Sequence, residues 1–142
     1  MEENKIKKKI EEWTIKQINK EKWIKNGRLT IEEFEKISED LERIMTNLYR
    51  REEIEIKNIF GDKERLKIKN FVVLPQFNFP KLFVLQELEY PHHRREIRIG
   101  YYIVAKKGKK KGKWIWGQFN PHIPKEDLKK LIEEAKKERI LC

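Results

Sequence analysis

The eight residues Lys106-Lys107-Gly108-Lys109-Lys110-Lys111-Gly112-Lys113 carry six ammonium groups and no acid. Charge at that density neutralises phosphates and releases their counterions, a source of affinity that does not read sequence. Tyr101 and Tyr102 precede the run, and Trp114 and Trp116 follow it; flat rings of this kind are platforms for stacked bases. Lysine lacks the bidentate fork of arginine, so Lys106, Lys107, Lys109, Lys110, Lys111 and Lys113 suit backbone contact better than base selection. Arg94, Arg95 and Arg98 supply forks that match phosphate oxygens. The same lysines also fit a solvated hairpin tip that blunts a sheet edge. Trp114 and Trp116 share one face of an extended chain, and at least one of them is expected in the core.

A second chemistry rests on acids. A metal-dependent nuclease of restriction-endonuclease type sets an Asp at a strand end and then an acidic-x-Lys or acidic-x-Glu pair, so that alternation aims both side chains at one Mg²⁺. Glu55-Ile56-Lys57 has that pairing, and Asp62 followed by Glu87-Leu88-Glu89 is a second version. Glu55, Asp62, Glu87 and Glu89 are therefore the catalytic candidates of this alternative, with Mg²⁺ as its cofactor; the binding reading needs none. In a chain with 24 acidic residues, such pairs also arise as cross-strand ion pairs. His92 and His93 point to opposite sides of an extended chain and His122 stands apart, so no histidine metal site is expected. Ser38 is the only serine and no Gly-rich phosphate loop is present, which argues against nucleophilic hydrolysis. Cys142, the single cysteine, allows neither an intrachain disulfide nor a thiolate zinc cage and fits a reducing cytosol.

These groups need elements to hold them. Ile6, Ile10 and Trp13, then Ile15, Ile18, Trp23 and Ile24, recur at helical spacing and predict one amphipathic helix over 5–25, closed at Asn26-Gly27. Thr30 and Glu33 form a capping box, with Leu29 placed as a staple. Phe34, Ile37, Leu41, Ile44 and Leu48 then make a narrow apolar seam, suited to a helical hairpin, a sheet or another chain. A homodimer through Phe34 to Leu48, or a protein-interaction module docking through the helix 30–50 seam, is thus a third functional reading.

After Arg50-Arg51 the period becomes two. Ile54 and Ile56, the Gly61-Asp62 turn, Leu66 and Ile68, and then Phe71-Val72-Val73-Leu74 predict a β-hairpin. Pro75 and Pro80 bracket an irregular connection or edge segment. Leu82 to Tyr90 resumes strand character, and Arg95–Ala105 with Lys113–Phe119 predicts a second hairpin tipped by the lysine loop. Gly100, inside a strand, reads as a bulge, a close approach or a packing allowance. Pro124 at the first helical position opens a last helix carrying Leu128, Leu131, Ile132 and Ala135 on one face. The expected fold class is α+β, with one domain over 1–142: an N-terminal helical hairpin (1–51), an antiparallel sheet of about five strands (52–120) and a C-terminal helix (121–142).

The bulk numbers agree with a binding reading. A chain of 142 residues buries roughly 68–70% of its unfolded surface, enough for a core. The charge of +10 favours nucleic acid as partner, DNA or RNA. Charged residues reach 41%, and this richness in Lys, Glu and Ile is also a thermophile-like composition with surface ion-pair networks. Met1-Glu2-Glu3-Asn4-Lys5 opens with charge, and no apolar run approaches the roughly 18 residues of a membrane span. A cytoplasmic protein without a membrane partner is expected, one that grips the phosphate backbone through the Lys-rich tip and its Arg/aromatic surroundings.

Overall fold

The computed structural model describes Lys8 and residues 18–117 and 121–141. Asn19 opens the first helix, α1 (Lys20–Gly27): its backbone is extended and its side-chain oxygen accepts from Lys22 N at 2.9 Å. The helix expected over 5–25 therefore does not run through Ile18-Asn19, because asparagine satisfies open amides better as a cap than inside a helix. Ile6, Ile10, Trp13 and Ile15 lie outside the described residues. Closure also departs from expectation: the left-handed residue is Arg28 (φ 52°, ψ 48°), one position beyond Gly27.

The second helix, α2 (Ile31–Arg50), begins where its capping box predicts. Thr30 Oγ1 accepts from Glu33 N, and the Glu33 carboxylate accepts from Thr30 N, both at 3.1 Å. Ile37, Leu41, Met45 and Leu48 are buried, and Phe34 and Ile44 are half-buried on the same core. The apolar seam is thus covered by a sheet within the chain.

That sheet is an antiparallel meander in chain order: β1 (Glu53–Lys57), β2 (Lys63–Pro75), β3 (Lys81–Glu89), β4 (Arg95–Val104) and β5 (Trp114–Trp116). The predicted end of the last strand, Phe119, lies outside the described residues, as does Cys142. Alternation sends Phe71, Val73, Leu82, Val84 and Trp114 under α1 and α2. It sends Val72, Leu74, Phe83, Leu85 and Tyr101 to the opposite face, where Leu131 and Ala135 of α3 (Lys125–Lys137) cover them. Pro124 is the N-cap of α3 rather than its first residue. Central strands covered on both sides read as continuous apolar runs, which is how β2 and β3 are written.

A register shift between Ile68 and Asn70 in β2 reconciles two halves of that strand that are out of phase. The extra residue lets Ile68 and Phe71, three apart, share one face. At the free end of the β1–β2 hairpin, Asn58 Oδ1 accepts from Phe60 N and Asp62 N, and Ile59 and Phe60 stand exposed. Among the described residues no helix is long and apolar enough to cross a membrane.

Candidate nucleic-acid interface

The β4–β5 connection is a closed loop. Ala105 N donates to Lys113 O and Gly112 N to Ala105 O, while Lys113 N donates to Lys110 O within the tip. Gly108 and Gly112 adopt φ of 85° and 81°, a region closed to most side chains, so the glycines set the shape and leave every other position free to be lysine. All six lysines are exposed. Among the described residues no ion pair takes up any of them.

Two further segments bring cations to this end of the sheet. Arg28, following α1, and Lys81, opening β3, line a groove of about 770 Å³ together with Lys106 and Lys111. The connection from β2 to β3 forms its wall and is tied to α1: Trp23 Nε1 donates to Gln76 O at 2.7 Å and Asn26 Nδ2 to Asn78 O at 3.1 Å. This anchoring holds Phe77 and Phe79 half in solvent, at 49% and 44% exposure. The Lys81 ammonium sits 4.5 Å from the Tyr101 ring centroid, and burial lowers its pKa from the ordinary lysine value. Arg28, Phe77, Phe79 and Lys81 were not legible as site residues, because the chain separates them from the lysine loop by more than twenty positions. The signal that existed was the pair of phenylalanines between two prolines, which a turn has no packing need for.

The tryptophans divide. Trp114 is buried beneath α2, donates from Nε1 to Ile37 O at 2.9 Å and packs 6.0 Å from Trp23. Assigned to both core and interface by its pattern, it belongs to the core. Trp116 stays 36% exposed. Its indole meets Tyr102 edge-on at 5.0 Å and carries the Arg98 guanidinium 5.1 Å above the ring. Arg98 is fixed from below as Nε donates to Oε1 of buried Gln86 at 2.9 Å. Burial and the like charge of Arg51 lower the Arg98 pKa, while burial raises that of Tyr102 against the pull of both arginines. Arg98, Tyr102 and Trp116 thus form a compact cation–aromatic patch without a carboxylate partner among the described residues.

Arg94 and Arg95 stand elsewhere. They lie at the start of β4, about 30 Å from its lysine-loop end at some 3.3 Å per residue, and both are engaged by acids. Arg94 pairs with Glu96 at 3.2 Å, and Arg95 lies 3.3 Å from each of Glu87 and Glu89. The lysine tip and these two arginines do not make one surface. Glu87 and Glu89 do share a strand face, as alternation requires, but an arginine occupies the space between them. Glu55 on β1 faces Lys63 at 3.6 Å, and Asp62 sits in the exposed β1–β2 turn. The acids are spread along an ion-pair ladder instead of converging. His93 reaches Glu89 at 3.8 Å, His92 packs on Tyr90, and His122 is exposed beyond the sheet. Among the described residues no three potential ligands gather where they could hold a metal.

No protein-family model matches the chain, and neither a curated protein nor a solved structure is similar to it. The architecture, an α+β sandwich with helices on both faces of a five-stranded meander, and the chemistry of its lysine-bearing end carry the functional argument alone.

Proposed function

We propose that this chain binds nucleic acid by the phosphate backbone at the lysine-bearing end of its sheet, with Arg98, Tyr102 and Trp116 as an aromatic–cation patch further along β4 and β5. The observation that supports the reading is convergence: six lysines of the hairpin tip, Arg28 and Lys81 approach one end from three separate segments, with no ion pair to the tip lysines among the described residues. A solvated coat would pair these cations with acids, as the far end of the sheet does with Arg95, Glu87 and Glu89.

Backbone contact carries a salt signature. About five lysines at phosphates give a slope of log affinity against log salt of about −4. Titration of a labelled oligonucleotide at several salt concentrations is expected to show that slope. Replacing Lys106, Lys107, Lys109, Lys110, Lys111 and Lys113 with Ser is expected to flatten it and weaken binding. Affinity and slope unaltered in that variant would end the proposal.

A further inference from the structure

We propose that the groove beside the lysine tip seats one unpaired base, so that the chain prefers single-stranded nucleic acid; this deepens the binding reading and rests on it. At about 770 Å³ the groove falls in the range of roughly 300–1,000 Å³ typical of small-ligand sites. Its walls are divided by chemistry. Leu29, Phe79, Pro80 and Ile103 present apolar surface, and Arg28, Lys81, Lys106 and Lys111 stand among them. Phosphates alone would need only the cations. An apolar, ring-bearing wall matches the face of a base, which a duplex keeps stacked inside and a single strand can turn outward.

Two details support a ligand rather than a packing defect. The acid of the lining, Glu33, accepts from Thr30 N and makes no ion pair with the surrounding cations among the described residues. Arg28 holds a left-handed backbone at φ 52°, where glycine or asparagine would sit with less strain. Arg28 is also among the residues that line the groove, and phosphate is the anion its guanidinium matches.

The test uses the full chain and labelled oligothymidylate, oligouridylate and a blunt duplex of equal length, read by fluorescence anisotropy at one salt concentration. The single strands are expected to bind about tenfold tighter than the duplex, the scale of one base–aromatic stack. Phe79→Ala is expected to remove roughly that factor for single strands while leaving duplex affinity alone. Arg28→Gly is expected to weaken single-strand binding with an equal or higher Tm, which separates loss of contact from loss of fold. The thymidylate and uridylate arms rank DNA against RNA. Equal affinity for strand and duplex, or a Phe79→Ala effect that is absent or shared by the duplex, overturns the groove assignment. If the lysine-to-serine variant still weakens binding in that case, the backbone reading survives; absence of binding to every polymer overturns both.

Discussion

Trp114 and Trp116 stand two positions apart on one strand face, and Gly100 explains how the second keeps its place. A Cβ at Gly100 would run into the Trp116 indole, so the glycine is the floor on which that ring lies and on which Arg98 in turn stacks. The packing allowance read from the sequence is the correct account of this glycine. Gly100→Ala is expected to cost about 1–3 kcal/mol by urea unfolding, the scale of overpacking. In a Trp116→Ala background most of that cost should vanish, since the two changes share one contact. An undiminished cost there would place the clash elsewhere. That Trp116 is the outer ring and Trp114 the inner was not written in either residue, because two tryptophans at i and i+2 look alike until a helix covers one of them.

Among elements, the helix ends and strand alternation were legible where local chemistry decides them. Thr30 and Glu33 cap α2 by reciprocal hydrogen bonds that need only three residues of separation. The cap at Asn19, the bulge after Ile68 and the left-handed Arg28 were not legible. Asn19 and Arg28 bond to residues three or four positions away, where the helical spacing and the Asn26-Gly27 pair favoured other local readings, and the bulge answers to pairing across the sheet. The strand acids belong to this scale. Burial tends to raise the Glu89 pKa, but Lys69, Arg95 and His93 together hold it below the ordinary 4.5. A carboxyl depressed in the folded state contributes stability that is present above its unfolded pKa and lost as pH falls through its folded one. In Arg95→Gln the Glu89 midpoint, followed by carboxyl NMR, is expected to rise toward the unfolded value, and the acid limb of stability below pH 4.5 to become shallower. An unmoved midpoint would show that Arg95 is a neighbour without influence.

For the molecule as a whole, β2 and β3 are shared property. Val73, Leu82 and Val84 meet the α2 side, while Val72, Phe83 and Leu85 meet α3, so the two helical layers pack on opposite faces of the same two strands. The amides of Leu41 in α2 and Leu131 in α3 are therefore expected to exchange by the same opening reaction, with the free energy found by urea unfolding. A Leu131 value lower by more than about 1 kcal/mol would mean that α3 opens separately. Element type, the hairpins β1–β2 and β4–β5 and the cationic character of the tip followed from sequence, since period, turn residues and charge act over a few neighbouring positions. Which face each helix covers, which tryptophan is sealed, the remoteness of Arg94 and Arg95, and the groove from Arg28, Phe79, Lys81 and the tip came only with the tertiary structure. Those features depend on segments meeting across the sheet, and no local pattern encodes the distance between them.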